Sequence, residues 1–262
     1  MQFETLLYEV SDGVATITIN RPEGANAMDP QMALDLAEVG ILCDDDPGVR
    51  AVVITGAGKM FCAGGDLGAF AKAGQGRKSL IKKMAGDLHM GLSRLARGNA
   101  PVIAAVNGTA AGAGMSLVMA CDLAIAAESA VFTMAYTRAG LVPDGSSTFF
   151  MPRKIGDRRT RELMLTNRVL KAPEAQQWGI VNEVVGDGEV LERAQTLARE
   201  LASGPTLAYG AVKYLLNGTF DQTLESQMEL EARAIAELSV SVDGEEGIAA
   251  FVEKRKPDFK GE

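Results

Sequence analysis

Three short apolar segments, each lying between stretches of helical periodicity, place the strongest constraint on the fold of this chain. They are AVVITG (51–56), PVIAAVNG (101–108) and CDLAIAAES (121–129). Short and almost uniformly apolar runs are typical of parallel strands that are buried on both faces and joined by crossover helices. The sequence therefore predicts an α/β architecture.

The N-terminal region adds a hairpin and a helix. FETLLYEV (3–10) and GVATITIN (13–20) are rich in β-formers and are joined at Ser11-Asp12-Gly13, which predicts a β-hairpin. Asp29-Pro30 is typical of a helix N-cap followed by the first helical residue. We therefore expect a helix from this point to about Cys43.

The rest of the chain contains a glycine-rich segment and a helical C-terminal region. AKAGQGRKS (71–79) is glycine-rich and charged, which predicts a mobile loop before the helix that contains His89. From about residue 157 strands become scarce and the segments have helical period and capping. We divide the chain into a core, residues 1–195, and a C-terminal helical region, residues 196–262, that packs onto the same core or onto a neighbouring subunit.

Charge and hydropathy exclude several classes of function. The chain has 26 basic and 34 acidic residues, a net charge of −8, which disfavours binding to a nucleic acid backbone. No stretch approaches the roughly 18 consecutive apolar residues of a membrane span. The first residues, MQFETLLYEV, lack the basic and apolar regions of a signal peptide. We expect a cytoplasmic protein with neither nucleic acid nor membrane as its partner.

Cysteine and histidine are too few for most metal-dependent or nucleophilic mechanisms. Three cysteines without a short spacing suit reduced thiols, and His89 is the single histidine. The usual zinc clusters are excluded, so no metal site is predicted. His89 lies in an amphipathic helical segment and is paired with no nucleophile, which favours a surface position on a helix.

Two loops are rich in small residues at the point where a predicted strand ends and a helix begins. They are TGAGKMFCAGGDLGAF (55–70) and VNGTAAGAGMSLVMACD (106–122). Such loops let ligand atoms approach backbone N–H groups that no side chain covers, as an anion or oxyanion site requires. Neither loop completes a dinucleotide or phosphate-loop fingerprint. Cys62 in the first loop has no partner base, and we interpret it as a small apolar residue.

A single carboxylate, Asp144, stands in the segment GLVPDGSSTFFMPRKIG (140–156). A Pro-Asp-Gly sequence favours a turn, and most carboxylates in such turns are solvated. Here leucine, valine and two phenylalanines flank the turn and favour apolar surroundings. Asp144 is therefore a candidate acid or base.

The order of these motifs resembles the crotonase family, the enoyl-CoA hydratase/isomerase superfamily, over essentially the whole chain. The motifs are RPEGANAMD, FCAGGDL, PVIAAVNGTAAGAGMSLVMACDLAIA, GLVPDG and EEGIAAFVEKRKPDF. The resemblance implies a spiral of ββα repeats with a C-terminal helical trimerisation region, assembled as homotrimers or dimers of trimers. It also implies acyl-CoA thioester substrates, in which coenzyme A is part of the substrate and no separate cofactor is needed.

The resemblance further implies an oxyanion hole made of two backbone N–H groups that hold the thioester oxygen as an enolate develops. By position these donors are Gly65 in FCAGGDL and Ala113 in TAAGAGMS. Ala113 would lie at a helix N-terminus, where the helix dipole favours negative charge. The implied substrate-binding positions are Ala25, Ala27, Ala63 and Gly65 along the coenzyme A path, Arg21, Lys82 and Lys83 for its phosphates, and Phe251 and Lys254 of this chain or a neighbour's.

The chain departs from the family's hydratases at two positions. Their two glutamates, which position and activate a water molecule, fall at Ser116 and Tyr136 here, and neither is a carboxylate. Efficient hydration is therefore not expected. We expect Tyr136 to orient substrate or Asp144, or simply to fill the core.

The position of Asp144 resembles that of the acid in Δ3,Δ2-enoyl-CoA isomerases and in phenylacetate-pathway isomerases. The implied function is an acyl-CoA isomerase that moves the double bond of a 3-enoyl-CoA to give a 2-enoyl-CoA, with Asp144 as acid and base. Three alternatives stay open: a 1,2-epoxyphenylacetyl-CoA isomerase that catalyses ring expansion, an acyl-CoA hydrolase or dehalogenase, and a non-catalytic acyl-CoA-binding protein.

Overall fold

The computed structural model describes residues 3–262 and begins with the predicted hairpin. Strands β1 (Leu6–Ser11) and β2 (Val14–Ile19) pair antiparallel, with Leu6 opposite Ile19. Asp12 and Gly13, the two residues between the strands, both have positive φ, which matches the twist of a two-residue hairpin loop. The prediction for this part of the chain is confirmed.

The hairpin forms one edge of a six-stranded sheet in the described part of the chain. Its other strands are β3 (Ala51–Gly56), β5 (Val102–Val106), β7 (Leu123–Ala127) and β10 (Glu183–Val185), and the order is β1-β2-β3-β5-β7-β10. From β2 onward the neighbouring strands are parallel. Every residue of β3 and β5 is buried, as expected of strands that are covered on both faces.

A second, smaller sheet runs beside the first and gives the fold its repeat. Its order is β4-β6-β8-β9, built from β4 (Met60–Cys62), β6 (Thr109–Ala111), β8 (Val131–Thr133) and β9 (Leu170–Lys171). Strands β3, β5 and β7 of the large sheet are each followed by a short strand of the small sheet and then by helix. The chain therefore winds as a spiral of ββα units, and the predicted fold class is confirmed.

Helices follow each unit of the spiral. The first, α1, begins where the sequence predicts, because the Asp29 carboxylate accepts a hydrogen bond of 2.9 Å from the Met32 N–H, and it ends two residues beyond Cys43. Within the core the helices are α1 (Pro30–Asp45), α2 (Leu67–Lys72), α3 (Arg77–Arg97), α4 (Ala113–Ala120), α5 (Ser147–Ile155), α6 (Asp157–Thr166) and α7 (Ala172–Trp178).

The last third of the chain is mainly helical, as predicted, although β9 and β10 lie within it. Its remaining helices are α8 (Val190–Ala202), α9 (Thr206–Gly218), α10 (Leu224–Leu238) and α11 (Val242–Glu253). Helix α8 covers one face of the large sheet with Val190, Ala194, Ala198 and Ala202. The division of the chain at residue 195 stays a prediction, and α8 spans it. None of the helices in residues 3–262 has the length and apolar character that crossing a membrane requires.

The predicted loop over residues 71–79 is wrong. Helix α2 extends to Lys72, a 3-10 turn occupies Gly74–Gly76, and α3 begins at Arg77. Gly74 adopts φ +51°, and the Arg77 side chain donates a hydrogen bond of 2.8 Å to the Phe70 carbonyl. The glycines therefore mark a tight corner between two helices.

Helices α1 and α3 cross at two glycines. A methyl group at Gly40 would lie 2.9 Å from the Cα of Gly91, and one at Gly91 would lie 2.7 Å from the Leu36 carbonyl carbon. The two backbones touch because neither residue has a side chain. This crossing sets the position of α3, which forms one wall of the cavity described below.

We predict that Gly91→Ala lowers the free energy of unfolding by about 1–3 kcal/mol, because the added methyl meets rigid backbone. Gly86→Ala on the same helix is the matched control. A methyl at Gly86 meets nothing within 4 Å, and alanine is the better helix former by roughly 1 kcal/mol. Urea titration followed by circular dichroism measures both variants, and equal midpoints would contradict the close crossing.

Candidate active site

A cavity of about 550 Å³ opens where the two small-residue loops meet helices α2 and α3 and the turn that carries Asp144. Its lining is mostly apolar, and its polar side chains are Lys78, Lys82, Tyr136 and Asp144. An apolar cavity with a few convergent polar groups is the usual form of a small-molecule site. In residues 3–262 no group of three or more His, Cys, Asp or Glu side chains is arranged to hold a metal.

The first loop is held in place by backbone pairing with the segment RPEGANAMD. Ala63 donates its N–H to the Ala25 carbonyl at 3.1 Å, and Met28 donates to the Gly64 carbonyl at 2.7 Å. The Asp66 N–H donates a hydrogen bond of 2.8 Å to the Met28 carbonyl. Met28 and Gly65 therefore form an isolated parallel β-bridge. The structure therefore brings Ala25, Ala63 and Gly65 together, and of these Ala63 and Gly65 line the cavity.

Two further side chains fix this segment. The Arg21 guanidinium ion-pairs with Asp29 at 3.1 Å and with Asp66 at 3.4 Å, and it also donates to the Ala27 carbonyl. The two carboxylates already offset the charge of Arg21. Arg21 is therefore less suited to bind a coenzyme A phosphate than the sequence predicts. Asp66 also caps α2 through the Ala69 N–H, the main cause that lowers the pKa of this carboxyl.

Asn26, which the sequence motifs do not predict as part of the site, is fully buried at φ +54°. Its side-chain amide donates to the carbonyls of Ala57 and Met60 at 2.9 and 2.7 Å and accepts from the Arg21 N–H at 2.9 Å. Asparagine tolerates this backbone conformation better than most residues. In the sequence, the available signal for this buried position is an asparagine between two alanines in a predicted loop.

The second loop brings Ala113 beside the first. Gly112 adopts φ +50° and α4 begins at Ala113, as predicted. A methyl at Gly64 would lie 3.0 Å from the Ala111 carbonyl and 3.4 Å from the Ala113 nitrogen, so the two backbones are in contact. Among residues 3–262, neither the Gly65 N–H nor the Ala113 N–H has a hydrogen-bond acceptor. Two N–H donors, one of them at a helix N-terminus, therefore border the same cavity.

Asp144 reaches the cavity from a constrained turn. Gly145 and Ser146 follow it with φ of +59° and +62°, and α5 begins at Ser147. The Ser147 hydroxyl donates to the Asp144 carbonyl at 2.9 Å rather than to its carboxylate. The Gly145 N–H donates to Nε2 of His89 at 3.2 Å. His89 is exposed on α3, as predicted, and it supports the turn.

Tyr136 connects Asp144 to the second loop. Its hydroxyl donates a hydrogen bond of 2.7 Å to Oδ1 of Asp144, and Ser116 Oγ lies 3.1 Å from the same hydroxyl. Burial, reinforced by the Asp144 charge, raises the pKa of Tyr136 far above its ordinary value. Tyr136 is therefore a protonated donor at neutral pH and cannot serve as a base.

The remaining predicted residues lie at the edge of the cavity or away from it. Lys82 lines the cavity, whereas Lys83 is exposed and outside the lining. Lys78 lines it too, which the sequence does not predict, because its glycine-rich charged segment indicates a loop. Phe251 on α11 is 85% exposed, and neither it nor Lys254 lines this chain's cavity.

The chain is similar in sequence and in structure to known proteins. The family model for enoyl-CoA hydratase/isomerase matches residues 9–262. A probable enoyl-CoA hydratase of Rhodobacter capsulatus is 40% identical and covers 100% of both chains. A 1,2-epoxyphenylacetyl-CoA isomerase of Escherichia coli is also 40% identical, over 98% of this chain and 99% of its own. The crystal structure of a putative enoyl-CoA hydratase from Streptomyces coelicolor superimposes with a TM-score of 0.94 at 35% identity, covering 100% and 96% of the two chains.

Cys62 beside the first loop is predicted to be unreactive. It is fully buried, and burial raises its pKa to about 11, so little thiolate forms at pH 8. We expect the native protein to react with a thiol-specific disulfide reagent only as fast as it opens, whereas all three thiols react at once in guanidinium chloride. Prompt labelling of Cys62 in the native protein would show a reactive thiol instead.

Proposed function

The chain belongs to the enoyl-CoA hydratase/isomerase family, and we propose that within this family it is an acyl-CoA isomerase that moves a double bond from a 3-enoyl-CoA to a 2-enoyl-CoA. The observation that carries the proposal is the carboxylate content of the cavity. Asp144 is the single carboxylate among the described residues of its lining, and it shares the cavity with the Gly65 and Ala113 N–H donors.

Adding water across a double bond requires one group to activate the water and another to supply a proton. The hydroxyls of Ser116 and Tyr136 provide neither a strong base nor a strong acid, since both are poor proton carriers at neutral pH. A shift of a double bond needs less. One carboxylate suffices, because the proton that leaves one carbon can be returned to another.

In the proposed reaction, Asp144 takes a proton from C2 of a 3-enoyl thioester. The electron pair of that C–H bond moves into the thioester group and gives a dienolate, whose oxygen carries the negative charge. Asp144 then returns the proton to C4, the C2–C3 double bond forms, and the carbonyl is restored. No electrons are exchanged with a second reagent, so the reaction needs no redox cofactor.

The backbone N–H groups of Gly65 and Ala113 would stabilise the dienolate oxygen. Preorganised donors of this kind each contribute about 3 kcal/mol to transition-state stabilisation. Helix α4 adds the positive end of its dipole at Ala113. The contact between the two loops holds both donors before substrate arrives, so little reorganisation is needed during the reaction.

We propose that coenzyme A approaches along the first loop, past Ala25, Ala27, Ala63 and Gly65, with its phosphates near the cationic side of α3. Lys78 and Lys82 line the cavity on that side, and Lys83 is on the neighbouring exposed surface. Phe251 and Lys254 would meet the substrate of a neighbouring chain. The three free cysteines suit a reducing compartment, and we propose a cytoplasmic location.

A second candidate is 1,2-epoxyphenylacetyl-CoA isomerase. It is favoured by the relative with that name, which is 40% identical over nearly the full length of both chains. The same carboxylate and the same pair of N–H donors would act on an acyl-CoA whose ring carries the reacting bonds. The two candidates differ in the substrate that the apolar part of the cavity accepts, so assays with both substrates distinguish them.

We also propose a homotrimer or a dimer of trimers. Helix α10 buries none of its residues within this chain, and α10 and α11 with the link between them expose large apolar side chains that single chains rarely leave in water. They include Leu224, Met228, Ile235, Val240, Ile248 and Val252. A neighbouring copy would cover them.

We predict that Asp144→Asn abolishes isomerisation while leaving acyl-CoA binding unchanged. The amide has the same shape but cannot carry the proton, and loss of a general base costs about 10²–10⁴-fold in kcat. Absorbance of the conjugated 2-enoyl thioester from 3-hexenoyl-CoA measures activity. Calorimetry with unreactive hexanoyl-CoA measures affinity.

The control for this variant is Asp157→Asn, which changes an exposed carboxylate at the start of α6. It should retain wild-type activity. Full activity in Asp144→Asn would remove Asp144 from the mechanism. Release of free coenzyme A by the wild type would identify a hydrolase, and tight binding without turnover of either substrate would identify a non-catalytic binder.

The oligomer gives an independent prediction. Sedimentation equilibrium should give three or six times the chain mass of 27.6 kDa. Ile235→Asp places a charge on the exposed apolar face and should shift the protein to smaller species, whereas Glu237→Gln on the same helix should not. A wild-type monomer at micromolar concentration would contradict the assembly.

A further inference from the structure

The two carboxylate oxygens of Asp144 have different surroundings. Oδ1 accepts the hydrogen bond of 2.7 Å from Tyr136, whereas Oδ2 has no donor among residues 3–262. Asp144 lines the cavity. One oxygen is therefore bound to the protein, and the other is free to meet a substrate.

The Tyr136 hydroxyl, which binds Oδ1, also contacts the hydroxyl of Ser116. Ser116 is fully buried, and its Oγ lies 3.1 Å from the Tyr136 hydroxyl and 3.3 Å from the Gly112 carbonyl. Tyr136 has one hydroxyl proton, which is used on the carboxylate, so its oxygen can only accept from Ser116. The single hydroxyl proton of Ser116 has two acceptors within reach, the Tyr136 oxygen and the Gly112 carbonyl, and the Tyr136 oxygen is the nearer.

Ser116 also limits the backbone of the turn. A methyl at Gly145 would lie 2.9 Å from the Cβ of Ser116, so the turn packs directly on α4. On the other side His89 accepts the Gly145 N–H. With the backbone fixed in this way, rotation of the Asp144 side chain is the remaining freedom, and the bond from Tyr136 restricts it.

We propose that Tyr136 is a positioning residue, supported by Ser116, that fixes Oδ1 of Asp144 and so makes Oδ2 the oxygen that exchanges the proton with the substrate. This inference rests on the proposed isomerase function. A single oxygen held at one orientation can take the proton at C2 and return it at C4 without rotation of the carboxylate between the two steps. The two hydroxyls thus control the geometry of a base although neither is a base itself.

The test removes the hydroxyls one at a time. Tyr136→Phe keeps the ring and should lower kcat for 3-hexenoyl-CoA about 10²-fold, as expected for a misplaced catalytic group, with KM within about twofold of wild type. Ser116→Ala should lower kcat by a smaller factor. Because Ser116 acts through Tyr136, the double variant should be no slower than Tyr136→Phe alone.

Tyr214→Phe is the matched control, since Tyr214 is 64% exposed and does not line the cavity. It should have wild-type kcat. A crystal structure of Tyr136→Phe gives a readout independent of turnover, and it should show the Asp144 carboxylate rotated or in two orientations.

Wild-type kcat in Tyr136→Phe, or a fully additive loss in the double variant, would overturn the inference while leaving the isomerase standing. If the wild type fails to isomerise any enoyl thioester, the proposed function fails, and the crystal structure decides the positioning role. An Asp144 carboxylate that keeps its orientation in Tyr136→Phe would then overturn it.

Discussion

Contact between the backbones of two loops is the constraint on which the site depends. Strands β4 and β6 pair in parallel with Cys62 beside Ala110, and the chain leaves both strands at the same edge of the small sheet. A methyl at Gly114 would lie 3.0 Å from the carbonyl carbon of Cys62, so the two backbones meet directly. Two N–H donors from segments about fifty residues apart in the sequence can therefore share one cavity.

The spiral brings the third component to the same place. Strand β8 follows β6 in the small sheet, and the chain after it carries Tyr136 and then the turn with Asp144. Successive ββα units thus contribute Gly65, Ala113 and Asp144, in chain order, to the lining of the cavity. The rigid parts of the site are backbone, whereas the carboxylate depends on side-chain contacts from neighbouring units. This arrangement permits the side chains of the cavity to change while the two backbone N–H donors remain.

Local signals in the sequence were sufficient for much of the fold. The hairpin, the parallel strands and the start of α1 at Asp29 follow from turn residues, apolar runs and capping preferences that act within a few residues. The position of Ala113 at a helix N-terminus could also be predicted, and its proposed role as a donor comes from the family resemblance. The prediction fails at the corner around Gly74, because a glycine-rich charged stretch has the same local composition in a loop and between two helices.

What the sequence could not supply were the contacts between distant segments. The buried Asn26 amide bonds to carbonyls more than thirty residues away, and His89 supports a turn 56 residues further on. The bond from Tyr136 to Asp144 spans eight residues but depends on a turn whose direction α4 sets. These contacts follow from the packing of the spiral, which no single segment specifies.

In the proposed mechanism the Gly65 and Ala113 N–H groups and Asp144 act together on one acyl thioester. A crystal structure with a bound, unreactive acyl-CoA tests it most directly. We predict that the thioester oxygen lies within hydrogen-bonding distance of both nitrogens and that Oδ2 of Asp144 faces the acyl chain at C2 and C4. A thioester oxygen bound elsewhere, or an acyl chain directed away from Asp144, would contradict the account.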